Sequence, residues 1–168
     1  MPTLQVGPKS LVKRAYHHGN LKQALLDASI TLIEEKGPMG FTMAEAAKTA
    51  GVSAAAPYRH FDGREDLIRE IARQGFEIFA DLMAFAYAKG DTPLASFESV
   101  GRAYLAFARK YPGNYIAMFE SNVSINASPE LANVANRGFD VLSKAAEELS
   151  AHLPLIKRPP PMMISQHI

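Results

Sequence analysis

The 168-residue sequence contains no cysteine. That absence excludes a disulfide framework, a thiolate nucleophile and a cysteine-held metal site. Long apolar runs are missing as well. Nothing approaches the ~18 consecutive apolar residues of a membrane span, and MPTLQVGPKS at the N-terminus has no apolar stretch of the secretory kind. The expected setting is the cytoplasm, with no membrane partner. A glycine-rich phosphate loop, an HExxH pair and a serine with a recognisable general-base partner are all absent, so neither an enzyme nor a cofactor site is expected.

What is present is ordinary globular material. Hydrophobic residues make up 48% and charged residues 21% of the chain, which argues against wholesale disorder. A chain of this length can bury roughly two thirds of its unfolded surface, enough for a self-sufficient core. The net charge of +1 hides an asymmetry: up to Arg64 there are eight basic residues against five acidic ones, and the remainder is net acidic. A mildly basic N-terminal third is compatible with a polyanion partner, and equally with a solvated face.

Residues 1–15 carry two prolines, a glycine and the cations Lys9, Lys13 and Arg14 without apolar periodicity, so a flexible basic arm is expected. Asn20 with Gln23 three residues on forms a capping-box pattern, and Leu21, Leu25, Ala28 and Leu32 share one face of a helix over about 21–36. Gly37 and Pro38 end it. Thr42 with Glu45 repeats the box pattern, Met43, Ala46, Ala47 and Ala50 form a buried side, and Gly51 stops the helix.

Only Val52 separates Gly51 from Ser53, a good N-cap, so two short helices are expected to meet through a glycine turn of the helix-turn-helix kind. The second helix, GVSAAAPYRHF, is almost bare. Pro57 stands at its N4 position, where it loses the first intrahelical hydrogen bond, so packing through Pro57, Tyr58 and Phe61 must stabilise it. Ala54 to Ala56 keep its leading edge low, and alanine methyls can touch a thymine methyl in the major groove.

Asp62 with Glu65 suggests a third box opening a long helix over about 63–88, apolar at Leu67, Ile68, Ile71, Phe76, Phe79, Leu82, Met83 and Phe85. Thr92-Pro93 opens another to about 110, apolar at Leu94, Phe97, Val100, Tyr104 and Phe107. A short helix after Pro112 brings Tyr115, Met118 and Phe119, residues 121–127 read as a loop, and Ser128 caps a last helix over about 129–151. The proline-rich tail 154–168 is expected to be unstructured.

The run YHHGNLKQALL with TMAEAAKTAGVSAAAPYRHFDGREDL resembles the TetR family of transcriptional regulators, especially the branch whose first helix opens with Tyr-His-His-Gly. The resemblance covers about 16–88 closely and 90–150 loosely. It implies an all-α protein with a three-helix helix-turn-helix DNA-binding domain at 16–62, followed by a helical effector-binding and dimerisation domain at 63–153. Such a protein works as a homodimer on a pseudopalindromic double-stranded operator, most often as a repressor released by a small effector. Carried over by position, Ser53 to His60 is the recognition helix. Thr42, Tyr58 and His60 match backbone-phosphate contacts, and Arg64 takes the place of a phosphate-binding lysine. The chain departs from the family at Ala54, Ala55, Ala56 and Pro57. It also offers one candidate C-terminal helix where the family has two that pair with their symmetry mates.

Each site has a plainer reading beside it. His17 and His18 are metal ligands, phosphate-facing surface or plain surface; adjacent histidines point apart and lack an acidic partner, which argues against metal. Arg59 reaches a guanine edge or a phosphate. Phe79, Met83, Phe97, Tyr104, Phe107, Tyr115, Met118 and Phe119 line a cavity for an apolar or aromatic effector, or form plain core. The alternative to a regulator is a helical interaction protein of the same descent without operator binding.

Overall fold

The computed structural model describes residues 21–153, and every regular element among them is helical. The expected arm at 1–15, the tail at 154–168, the Asn20 cap, His17 and His18 lie outside the described residues. The elements are α1 (Leu21–Lys36), α2 (Met43–Thr49), a 3-10 turn (Pro57–Arg59), α3 (Arg64–Ala88), α4 (Pro93–Lys110), α5 (Pro112–Phe119), a second 3-10 turn (Ile125–Ala127) and α6 (Pro129–Ala151).

The caps explain most of the boundaries. Thr42 Oγ1 accepts from the Glu45 N–H at 3.2 Å, and Glu45 Oε2 accepts from the Thr42 N–H at 2.8 Å, a reciprocal box. Thr92 and Ser128 accept from Ala95 and Leu131 at 3.2 and 3.1 Å, each followed by a proline whose missing N–H costs nothing there. Gly37 and Gly51 adopt φ of +77° and +72°, the left-handed conformation that ends α1 and α2 and that a side chain resists. At Gly51 the termination is complete. Its N–H reaches the Lys48 carbonyl at 3.1 Å, and the Val52 N–H reaches Ala47 at 2.9 Å, the paired bonds of a Schellman turn.

α3 is the spine. It buries Ile68, Ile71, Ala72, Phe76, Phe79, Ala80, Met83 and Ala86 at three- and four-residue steps, and packs on α6, α4, α5 and α1. Two glycines set the closest approaches. A Cβ on Gly138 would stand 2.7 Å from Phe79 Cδ1, and one on Gly75 would stand 2.6 Å from Met118 Sδ, so α6 and α5 lie against α3 with no room for a methyl. Phe79 is fully buried under that contact, and truncating such a residue to alanine costs about 3–5 kcal/mol.

Several expectations are corrected. Residues 53–60, expected as a recognition helix, are not an α-helix capped by Ser53. The Ser53 carbonyl, which an α-helix would bond to residue 57, instead accepts from Ala56 at 2.9 Å, because Pro57 has no N–H to give. The chain then runs as a 3-10 turn starting at Pro57. The expected Asp62–Glu65 box does not form: Gly63 is the N-cap of α3, the helix has no side-chain cap, and Asp66 instead accepts from the Asp62 N–H at 3.2 Å. Residues 121–127 are not all loop, since Ile125–Ala127 form a 3-10 turn capped by Ser124.

Phe85, Leu94 and Phe97 are exposed rather than core. α4 turns Ser96, Val100 and Phe107 inward. At 100° per residue Phe97 lies about 100° round from Ser96, and Leu94 roughly 160°. Phe85 lies roughly 160° from the inward Met83, and Lys89 Nζ covers it at 4.3 Å.

Candidate functional site

Residues 53–61 divide cleanly by burial. Ala56, Pro57 and Phe61 are buried, while Ser53, Ala54, Ala55, Tyr58, Arg59 and His60 are exposed. The three buried residues anchor a segment that makes too few internal hydrogen bonds to stand alone, and the Lys22 ammonium sits 5.8 Å from the Phe61 ring. Tyr58 was expected to help with that packing. It does not: its side chain is turned out and 61% exposed. Among the described residues neither Tyr58 nor Arg59 makes a side-chain hydrogen bond or ion pair, so both end in solvent with their donors unspent.

Around this face other charges are already engaged. Lys36 pairs with Glu45 at 2.8 Å, and that contact, followed by the hydrogen bonds from Thr42, holds the Glu45 carboxyl at about 2. Thr42 is exposed, yet its hydroxyl is committed to the cap. Arg64 is turned inward. Its Nη1 donates to the carbonyls of Met39 and Phe41 at 3.0 and 2.9 Å, tying the start of α3 to the α1–α2 connection. No group of three or more histidine or acidic side chains among the described residues is placed to hold a metal.

The second region lies in the helical half. Phe79 sits at the centre of an aromatic cluster, with ring centroids 5.3 Å to Phe107, 5.6 Å to Tyr104 and 6.4 Å to both Phe119 and Phe139, all edge-on. Beside it a cavity of about 380 Å³ is lined by Phe76, Tyr104, Tyr115, Met118, Phe119, Ile125, Phe139 and Leu142. A wider apolar groove of about 540 Å³ runs between α4 and α6 past Phe97, Val100, Leu105 and Ala145, and shares Tyr104 and Leu142 with the cavity.

Of the eight residues read from the sequence as cavity candidates, Tyr104, Tyr115, Met118 and Phe119 line the cavity, and Phe97 lines the groove. Phe79, Met83 and Phe107 are buried and line neither. Phe76, Phe139, Leu142 and Ile125 were missed as lining residues. The first three sit on apolar stripes that sequence reads as core, and Ile125 falls in the segment taken for loop.

Tyr104 and Tyr115 are the polar features of the cavity wall, their hydroxyl oxygens 3.5 Å apart and their rings edge-on at 6.4 Å. Burial first, then the neighbouring Tyr115 hydroxyl, pushes the Tyr104 phenol up to about 12, so it remains a donor at physiological pH.

Residues 25–71 match the family model described as bacterial regulatory proteins, tetR family, and residues 97–163 match the tetracyclin repressor-like C-terminal domain, together more than half of the chain. The biofilm operon icaADBC HTH-type negative transcriptional regulator IcaR of Staphylococcus epidermidis is 25% identical over 113 residues, 67% of this chain and 57% of the relative. The uncharacterized HTH-type transcriptional regulator YobS of Bacillus subtilis is 29% identical over 101 residues, 59% of this chain and 51% of the relative. The chain thus spans about half the length of the curated relatives it matches. Among solved structures, a protein of unknown function from Rhodococcus sp. RHA1 superposes with a TM-score of 0.67 at 26% identity, over 83% of this chain and 72% of that one.

Proposed function

The chain belongs to the tetR family of bacterial regulatory proteins, and from that premise we propose that it is a sequence-specific DNA-binding transcriptional regulator. In this reading two copies bind a pseudopalindromic operator in the cytoplasm, their heads about one helical turn apart. A small apolar or aromatic effector in the 63–153 half releases them. IcaR is a negative regulator, and the same sense is adopted here.

The observation that carries the reading is the outward face of residues 53–60. Ser53, Ala54 and Ala55 give a low edge that fits closely in a major groove. Tyr58 and His60 meet phosphate oxygens, and Arg59 reaches a guanine edge or a phosphate. Thr42 approaches a phosphate from the start of α2. Arg64, occupied by the Met39 and Phe41 carbonyls, serves by holding the head on α3 rather than by touching DNA. His17 and His18 are further candidates for phosphate contact, by resemblance alone.

Release follows from how the two regions are joined. α3 begins behind the recognition turn and carries Phe76 to the cavity wall. A ligand that favours one tilt of α3 changes the spacing of the two heads, by no more than its differential affinity for the two states.

Selection of a bound duplex from a random-sequence pool tests the reading. The expected result is an enriched two-fold-symmetric site bound by two chains, with log affinity falling linearly against log salt. No enrichment, or binding indifferent to salt, would remove the regulator assignment.

A further inference from the structure

The cavity beside Phe79 has a composition more selective than its apolar character suggests. Its eight lining residues include no lysine, arginine, histidine, aspartate or glutamate. A carboxylate, phosphate or ammonium placed against this wall would give up hydration on that side with no opposite charge among the lining residues, which is unfavourable. At about 380 Å³ the space lies near the lower end of the ~300–1,000 Å³ usual for ligand sites. The walls are mainly ring faces and edges, which suit a flat apolar body.

The wall is not uniformly apolar. Tyr104 on α4 and Tyr115 on α5 bring two hydroxyls to it, 3.5 Å apart. Hydroxyl pairs in good contact lie at about 2.7–2.8 Å, so this pair leaves much of its capacity unused. One oxygen placed between them can accept from one tyrosine and, if it bears a hydrogen, donate to the other. Tyr104 and Leu142 line both this cavity and the groove between α4 and α6.

We infer that this cavity selects an uncharged, planar, largely aromatic molecule carrying a single hydroxyl or carbonyl oxygen, with Tyr104 and Tyr115 as the pair that recognises that oxygen. The inference rests on the regulator reading only in naming the molecule an effector; the binding preference stands or falls separately. A ligand seated there bridges α4 and α5, and α5 packs on α1 as well as α3.

Three probes of one shape separate the possibilities at neutral pH: 1-naphthol, uncharged with one hydroxyl; naphthalene, without oxygen; and 1-naphthoate, an anion. Calorimetric titration of the full chain is expected to find 1-naphthol tightest, naphthalene roughly fivefold to tenfold weaker because it cannot replace the long contact between the tyrosines with hydrogen bonds of its own, and 1-naphthoate at least about tenfold weaker than 1-naphthol. Tyr104→Phe and Tyr115→Phe should each shrink the preference for 1-naphthol over naphthalene to within about twofold, while naphthalene itself binds as before. That last reading reports on the fold of the variants directly. Equal binding of all three probes, tightest binding of 1-naphthoate, or no binding by any would overturn the inference. If the order holds but 1-naphthol leaves operator affinity unchanged, the chemical preference is upheld and the effector role of the cavity is what fails.

Discussion

The carboxylate of Glu34, near the end of α1, accepts the backbone N–H of Gly113 at 3.0 Å. Gly113 is the second residue of α5, a helix with no side-chain cap of its own. A group on the first helix of the head therefore caps the short helix that carries Tyr115, Met118 and Phe119 to the cavity. The contact is tight. A Cβ on Gly113 would stand 2.7 Å from Ile30 Cγ2 and 2.9 Å from the Ile30 carbonyl oxygen. On the other side of α5, Asn114 is buried and donates to the Ile71 carbonyl at 3.2 Å, fastening the same turn to α3.

Glu34→Ala should remove the α5 cap and cost about 1 kcal/mol in urea unfolding, the usual worth of a helix N-cap. On the proposed function it should also weaken the change in operator affinity that a cavity ligand produces. Glu34→Gln keeps an accepting oxygen and should retain most of both. Equal coupling in all three proteins would mean that α3 alone carries the signal.

The glycines give a paired stability test. Gly113→Ala and Gly138→Ala each force a methyl into atoms that cannot withdraw far, and should destabilise by about 1–3 kcal/mol. Gly101, inside α4, has nothing within 4 Å of its missing Cβ, so Gly101→Ala should stabilise by about 0.4–1 kcal/mol. Denaturation midpoints of the three variants check the contrast, and an equal effect at all three positions would contradict the packing described.

Acid should act on the α2 cap. Glu45 is held at about 2 against 4.5 when unconstrained, chiefly by Lys36 and then by Thr42. Its folded pKa is depressed, so its contribution to stability is present above about 4.5 and is lost as pH falls toward 2. The difference in urea midpoint between the natural chain and Glu45→Gln should therefore be constant above about pH 5 and shrink toward zero near pH 2. A difference that persists at pH 2 would assign the effect to packing instead of charge.

Much of this fold is legible in the sequence, because its signals are local. Thr42, Thr92 and Ser128 announce their helices through hydrogen bonds three residues long, and Gly37 and Gly51 end theirs through a conformation that other residues resist. What failed needed tertiary information or a finer account of one residue. Ser53 has the right chemistry for a cap, but Pro57 denies its carbonyl the i+4 donor and the helix becomes a 3-10 turn. Phe97, Phe79 and Phe119 look alike in a stripe of aromatics. Only the angle at which α4, α5 and α6 meet α3 makes one groove wall, one core and one cavity wall.

Pro57→Ala probes that correction. It supplies the missing N–H to Ser53, so residues 54–60 should move toward a continuous helix, with residue 57 showing a slowly exchanging amide and the segment more helical Cα shifts. The variant also loses buried ring surface, so a modest loss of stability is expected alongside. An amide at 57 that exchanges as fast as in an open loop would mean that proline is not what prevents the helix.

The most direct test of the central claim is fluorescence-anisotropy titration of the selected duplex at two salt concentrations, comparing the natural chain, Arg59→Ala and Arg102→Ala. Arg102 is exposed and pairs with Glu98 on α4, in the helical half rather than in the head. Arg59→Ala should weaken binding about tenfold or more, reducing the salt slope by about one if the contact is to a phosphate and relaxing sequence preference if it is to a base. Arg102→Ala should bind as the natural chain does. Equal binding by all three would contradict the account, since the exposed face of residues 53–60 would then not be the surface that meets DNA.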